Sequence, residues 1–378
     1  MSVKRKYDAA VVGLGGMGSA ALYHLAKRGI SVCGIEQFEF GHKNGSSHGE
    51  TRIIRKAYPE EPKYIPLLNR SYELWAELEE ASGTDLLIKS GFIAISEAGS
   101  EFLKTIGEGN RQYNLPHEYW TADDIRKHAP QFNVPDSMAA FYDPLGGFVY
   151  VEKCQQAHLM LAKKQGAAIY ENEAVQQWKA VGDGVEISTQ NGKIHAGKLI
   201  LTTGAWAIPE LNKLGVSMEL WRRLLFWLRS PDATAFQPQH FPSFVIDLGE
   251  TVFYGTPSVS DFGAKVGEHH QPFLINRPEE MSQPHTEREI STILKFTRNF
   301  FPALDHQPSK SANCMYTVTP DHHFILDLHP QNNNIILGCG FSGHGFKFSS
   351  AVGEVLADLA LNGISENAID FLRISRFE

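Results

Sequence analysis

Two arginines, Arg52 and Arg55, stand three residues apart in Gly45-Ser-Ser-His-Gly-Glu-Thr-Arg-Ile-Ile-Arg55. That spacing predicts one face of a helical turn. Paired guanidiniums suit an anionic ligand group or an electron-rich ring, because the planar fork matches carboxylate oxygens and stacks on aromatic faces. The plainer alternative is two surface arginines, solvated or bridged to acids. Farther along, Val252 to Gly255 and Ala264 to His270 alternate as strands do. A period of two puts Lys265, Gly267 and His269 on one face, with the glycine leaving room for a ligand; a solvent-facing lysine is the alternative. Near the end, Gly340-Phe-Ser-Gly-His-Gly-Phe-Lys-Phe-Ser-Ser350 sets Ser342, His344 and Lys347 among glycines just before a helix. Such a loop can turn backbone N–H groups toward an anion while Lys347 supplies charge.

The elements that must position these groups begin with a glycine fingerprint, Gly13-Leu-Gly-Gly-Met-Gly18, with Glu36 18 residues beyond its last glycine. An apolar strand, Asp8 to Val12, leads into it; a helical pattern, Ser19 to Lys27, and a second strand, Ile30 to Ile35, follow. Gly13 permits the tight turn, Gly15 lets a pyrophosphate approach the backbone, and Gly18 lets the helix pack close on the strand. The helix N-terminus offers free N–H groups and a positive dipole end. Glu36 suits ribose hydroxyls and disfavours a 2′-phosphate. The unit predicts dinucleotide binding.

Downstream, apolar spacing around Leu67, Leu68 and Leu74 predicts a helix, Ile93 to Ile95 a strand, and Trp120 to His128 a helix opened by Thr121. Around Gly146-Gly147-Phe148-Val149 the chain returns toward the nucleotide unit, followed by a helix, Cys154 to Gln165, and a strand, Ala168 to Tyr170. A hairpin of Ala180 to Ile187 with Lys193 to Ala196 comes next, then a buried strand from Lys198 ending in a turn at Gly204. From Trp221 to Phe301, short aromatic-rich strands predict a mostly antiparallel sheet covered by a helix in Pro284–Phe301. Asn334 to Leu337 and Ser349 to Leu361 close the chain as strand and helix. The fold class expected is α/β (α+β overall): a Rossmann-like binding domain at 1–85, 150–215 and 320–378, with an inserted substrate domain at 86–149 and 216–319.

At 378 residues the chain has length for two joined domains. Hydrophobic content of 42% and charged content of 21% are those of a globular protein. A net charge of -8 argues against a nucleic-acid partner. No stretch approaches the ~20 apolar residues that span a bilayer. The basic start, Met1-Ser-Val-Lys-Arg-Lys6, runs straight into the first strand and reads as a solvated approach rather than a signal peptide, so a cytoplasmic location is expected. Cys33, Cys154, Cys314 and Cys339 show no CxxC pairing, which excludes a disulfide framework and a structural zinc site. Cys33, Cys154 and Cys339 read as buried thiols.

Taken together, Ser-His-Gly-Glu-Thr-Arg-Ile-Ile-Arg (47–55), Cys-Met-Tyr-Thr (314–317), Phe-Ile-Leu-Asp (324–327) and the 340–350 loop resemble the monomeric sarcosine oxidase and N-methyltryptophan oxidase family over essentially the whole chain. The resemblance implies FAD, with Gly13, Gly15 and Gly18 at its pyrophosphate, Glu36 at its ribose, Thr51, Gly204, Gly343 and Gly345 completing its site, and Cys314 joined through sulfur to the flavin. It implies Arg52 beside the ring system and His48 in the same loop. Arg55 and Lys347 would hold a substrate carboxylate, with Tyr254, Tyr316 and His269 lining the pocket and Lys265 assisting reaction with O₂. The reaction implied is oxidation of a secondary amine: sarcosine would give glycine, formaldehyde and H₂O₂. The amine reacts as its neutral form, and no general base is assigned. A monomer is the family expectation.

The chain departs from that pattern in three places. Ser47 replaces a histidine, Glu50 stands where an aspartate is usual, and Tyr58-Pro-Glu-Glu-Pro62 differs from a glycine-containing loop. These leave the substrate's side chain open, with N-methyltryptophan and cyclic imino acids such as pipecolate as siblings of sarcosine. An NAD-dependent dehydrogenase and a non-catalytic nucleotide-binding protein are the readings from other classes. The first would leave Cys314 and the late glycine loop without a task; substrate-dependent peroxide would exclude the second.

Overall fold

The computed structural model describes residues 5–269 and 273–378. Met1–Lys4 of the basic start, and His270 at the end of the strand expected from Ala264, lie outside them.

The first strand, Arg5–Val12, is buried over its last four residues. It lies parallel between Val32–Ile35 and Gly192–Leu201. Both faces of such a parallel core are covered, which is why these strands read as continuous apolar runs. They form the centre of an eight-stranded sheet that includes Asn332–Cys339, parallel to Gly192–Leu201, and Ala168–Tyr170, parallel to Val32–Ile35. On this sheet sits the helix Gly16–Lys27, packed against the helices Val151–Lys164 and Ser349–Asn362. The fit with the last helix is tight: a Cβ on Gly353 would meet Ala20 Cβ at 2.5 Å.

The expected hairpin is instead a three-stranded meander, Val175–Val181, Gly184–Thr189 and Gly192–Leu201. Its first turn falls inside the segment read as one strand, at Gly182-Asp183, where Gly182 takes φ +60°.

The second sheet has nine strands, from Phe92–Glu97, Glu118–Thr121 and Met138–Asp143 and from six strands between Glu219 and Val318. Its pairings are antiparallel except that of Ser243–Asp247 with Phe92–Glu97. One face packs on the helix Glu287–Phe300, opened by a Thr286/Glu289 capping box and stacked through Phe296 on Phe253 at 3.9 Å. The other face carries Val245, Tyr254, Thr256, Lys265 and His269, which line a cavity. A small third sheet pairs Thr51–Ile54 and Leu87–Ile88 with Gly147–Tyr150. Among the described residues, no helix is long and apolar enough to cross a membrane.

Candidate functional site

One cavity of about 1090 Å³ is lined both by the glycine fingerprint and by the antiparallel sheet. That volume is at the upper limit for a single small ligand.

At the fingerprint, the helix Gly16–Lys27 starts on Gly15 with no side-chain cap, and the N–H of Gly16 donates to Ser47 Oγ at 2.9 Å. Gly13, Gly15, Gly16 and Met17 line the cavity. Gly18 lies behind them: a Cβ there would meet the Gly13 carbonyl oxygen at 1.8 Å, so only glycine lets the helix sit this close to the strand. Glu36 is buried at the end of the second strand and lines the same cavity. Its carboxylate accepts the N–H of Leu14 at 2.8 Å and of Phe38 at 3.1 Å, which leaves further lone pairs for a ligand. Gly204, at φ +53°, also lines the cavity. A helix start capped by no side chain of its own, a glycine backbone on the cavity wall, and a buried acid beside it fit the pyrophosphate and ribose of a dinucleotide.

At the sheet end, the expected helical turn for Arg52 and Arg55 does not form. Thr51–Ile54 is a strand, paired with Arg52 opposite Val149, and Arg55 follows its end. The β-branched Thr51, Ile53 and Ile54 favour that outcome. Both arginines nevertheless line the cavity. The Arg52 guanidinium donates to the Thr51 and Ser46 carbonyls at 2.9 Å each and lies 3.3 Å from Cys314 Sγ. Cys314 is buried like the other three cysteines, but it alone pairs a buried thiol with a guanidinium on the cavity wall.

Lys265 is 2% exposed. Its ammonium donates to the carbonyls of Gly49, at 3.0 Å, and Thr51. Two of three donors are thus used, leaving one for a ligand. Burial, then the nearby Arg52, pushes this lysine well below its ordinary pKa. The two carbonyls face inward because Gly49 and Glu50 both take positive φ, +91° and +68°. Glu152 holds that kink by accepting both N–H groups, at 2.8 and 3.2 Å. Thr51 is tied to the opposite sheet through its hydroxyl, 2.8 Å from that of Thr256.

Arg55 and Lys347 are buried cations on the same wall. Arg55 donates to the Ala57 carbonyl at 3.1 Å and to Glu60 at 2.5 Å. Burial works against the Glu60 carboxylate, but the guanidinium beside it wins and holds it below the usual carboxylate range. Lys347 donates to the His344 carbonyl at 2.7 Å. Burial and then Arg55 push it down to about 7. In the same loop Gly343, at φ +81°, faces Tyr316: a Cβ would lie 2.4 Å from that ring. A Cβ on Gly345 would meet Phe341 at 2.5 Å.

Tyr254, Tyr316 and His269 form one group. The Tyr316 hydroxyl is 3.5 Å from that of Tyr254 and 3.4 Å from His269 Nδ1. Gly267 lies under the Tyr254 ring, where a Cβ would approach to 2.9 Å. His48 is different: it is buried, does not line the cavity, and its Nε2 has no hydrogen-bond partner among the described residues. Sequence reasoning missed Glu152, and it singled out Ser47, Tyr58 and Glu60 only as departures from the family pattern, without their contacts. For Glu60 a signal was present, an acid five residues after an arginine in a proline-bounded loop; Glu152 meets Gly49 across 103 residues and had none.

Comparison with known proteins bears on this arrangement. Residues 8–359 match the family model described as FAD dependent oxidoreductase. The chain is 38% identical over 368 residues to monomeric sarcosine oxidase of Streptomyces avermitilis, covering 96% of each chain. It is 33% identical over 373 residues to N-methyl-L-tryptophan oxidase of Yersinia pestis, covering 98% of this chain and 99% of the other. Among solved structures, the open form of NikD, an unusual amino acid oxidase essential for nikkomycin biosynthesis, matches with a TM-score of 0.86 at 23% identity over 98% of both chains, a likeness of fold. A matching fold, a fingerprint that fits a dinucleotide and full-length relatives lead to one statement: this chain belongs to the FAD-dependent oxidoreductases, in the family of monomeric sarcosine oxidase and N-methyl-L-tryptophan oxidase.

Proposed function

We propose that this chain is an oxidase for small N-methyl amino acids, sarcosine foremost, converting sarcosine, O₂ and water to glycine, formaldehyde and H₂O₂. The observation that carries the reading is a single cavity joining a dinucleotide cradle to two buried cations, Arg55 and Lys347. FAD, when bound, would accept the two electrons released as a C–H bond beside the amine nitrogen breaks and the C–N bond becomes an imine, and would return them to O₂.

The chain's own residues have distinct tasks in this reading. Arg55 and Lys347 bind the substrate carboxylate, which competes with Glu60 for the arginine fork. Tyr254, Tyr316 and His269 shape the space beside it. The guanidiniums of Arg52 and Arg55 disfavour a protonated amine, so the substrate nitrogen keeps its lone pair. Lys265 directs its remaining donor to where negative charge develops on O₂, a task that preorganised charge in a dry site performs well. Cys314 would tether the cofactor through a thioether, supported by its position on the wall beside Arg52. The eight-stranded sheet and its helices would serve as the cofactor domain (1–85, 150–215, 320–378) and the nine-stranded sheet as the substrate domain (86–149, 216–319). The protein would act as a cytoplasmic monomer.

Anaerobic titration of the purified protein with sarcosine, followed at the flavin absorption bands, tests the proposal. Bleaching supports it. A flavin spectrum that N-methyltryptophan bleaches and sarcosine does not would move the substrate to bulkier amines. A protein without flavin would overturn the reading.

A further inference from the structure

Arg55 and Lys347 share one ring. The Arg55 guanidinium carbon lies 5.3 Å from the centroid of Tyr58, and Lys347 Nζ lies 5.2 Å from the same centroid. All three side chains are buried, Tyr58 to 1% exposure. Two like charges with little solvent between them repel strongly. The Tyr58 ring lies within cation–π range of both, and Arg55 also lies 5.2 Å from the Phe92 centroid.

The ring is itself fixed. Its hydroxyl lies 2.5 Å from His344 Nδ1, and His344 Nε2 lies 3.0 Å from the His322 carbonyl oxygen. A carbonyl only accepts, so Nε2 carries the imidazole proton, Nδ1 accepts, and Tyr58 donates. Burial keeps this histidine neutral, pushed down to about 3. The main-chain oxygen of the same histidine accepts the Lys347 ammonium, and Trp75 Nε1 donates to the Lys347 carbonyl at 3.0 Å. Edge-to-face contact with Phe348, at 5.6 Å and 83°, completes the seat of the ring.

We propose that Tyr58 is a positioning residue for the carboxylate clamp: its ring, oriented through its hydroxyl by His344, spaces and aims Arg55 and Lys347. The proposal rests on the reading of those two cations as the substrate-carboxylate site. It predicts a pH signature. The groups facing Lys347 are Arg55, Tyr58 and Glu60 from the segment after the strand, His344 from its own loop, and Phe348, with Tyr64 and His323 beyond them. Removing this ring leaves the lysine facing Arg55 with only the Phe348 ring, at 5.4 Å, as an aromatic contact, so its proton is lost at lower pH.

The test is acetate binding to the flavin-loaded enzyme, read as a change in flavin absorbance between pH 6 and 9, for wild type, Tyr58→Leu, Tyr58→Phe and Arg55→Ala. Tyr58→Leu should weaken acetate by about tenfold and move the pH at which affinity falls downward, while kcat at saturating sarcosine drops far less than kcat/KM. Tyr58→Phe keeps the ring and should lose only about threefold. Wild-type affinity and pH dependence in Tyr58→Leu, with acetate binding lost in Arg55→Ala, would overturn the proposal alone. Wild-type binding in Arg55→Ala would overturn the clamp reading beneath it. If Tyr58→Leu does not fold, phenylalanines carrying one to three ring fluorines at position 58 preserve shape while weakening the π face. Stepwise loss of acetate affinity along that series supports the proposal, and a flat series refutes it.

Discussion

The guanidinium of Arg52 lies 3.3 Å from the sulfur of Cys314, joining the short strand Thr51–Ile54 to a strand of the antiparallel sheet. The contact is held from both sides. Arg52 donates to the Ser46 carbonyl, and the Ser46 hydroxyl donates to the Met315 carbonyl at 2.8 Å. The small third sheet and the nine-stranded sheet therefore meet at a fixed point on the cavity wall.

Replacement of that sulfur tests the proposed tether. Cys314→Ser changes little in volume at a position already buried, so the fold should persist with flavin bound. Acid precipitation should then release the flavin into the supernatant from Cys314→Ser and leave it in the pellet from wild type. Flavin retained in the pellet by the variant would remove Cys314 as the point of attachment.

Lys265 combines 2% exposure with an ammonium that spends two donors on main-chain carbonyls. Lys265→Met preserves most of the stem and removes the charge. Stopped-flow reoxidation by O₂ should slow by about 100-fold, equivalent to about 2.7 kcal/mol of lost charge stabilisation, with anaerobic reduction by sarcosine changed by less than about tenfold. Equal slowing of both half-reactions would deny the lysine a specific task in oxygen chemistry.

Gly18 has no room for a side chain, since a Cβ would sit 1.8 Å from the Gly13 carbonyl oxygen. Gly18→Ala must push the helix Gly16–Lys27 off the strand or distort the turn, at a cost of roughly 1–3 kcal/mol. The expected outcome is a flavin-to-protein ratio well below that of wild type and a lower unfolding midpoint. A fully loaded, equally stable variant would show that the turn tolerates movement.

The first βαβ unit was legible because its constraints are local: turn, helix start and acid all fall within 36 residues. The Lys265–His269 face was legible for the same reason, a period of two being written in five residues. Arg52 and Arg55 were read into the wrong local structure because the strand that carries Arg52 and ends just before Arg55 is completed by Gly147–Tyr150, far along the chain. The meander went astray where Gly182-Asp183 was taken as strand interior. Tyr58 was legible only as part of a loop that departs from the family pattern; its task depends on His344, 286 residues away. Side chains whose role lies in a distant partner leave no periodic or spacing signal.

Buried histidines set an expectation for acid stability. Burial pushes His24, His48, His158 and His344 each down to about 3, against an ordinary value of 6.5. For His48 the cations Arg52 and Lys265 add to burial. The folded state keeps them neutral, whereas the unfolded chain takes up protons below 6.5. Their contribution is therefore complete above pH 6.5 and is lost as pH falls from there toward 3. By pH 5.5 the set together costs the folded state on the order of a few kcal/mol. His158 packs between Tyr23 and Trp75, at 5.7 and 5.6 Å, so His158→Phe keeps an aromatic ring there while removing the titration. Urea unfolding followed between pH 5.5 and 7.5 should show a wild-type midpoint that falls with acid and a shallower fall in His158→Phe. Identical slopes in the two proteins would mean that this histidine already carries its proton in the folded state.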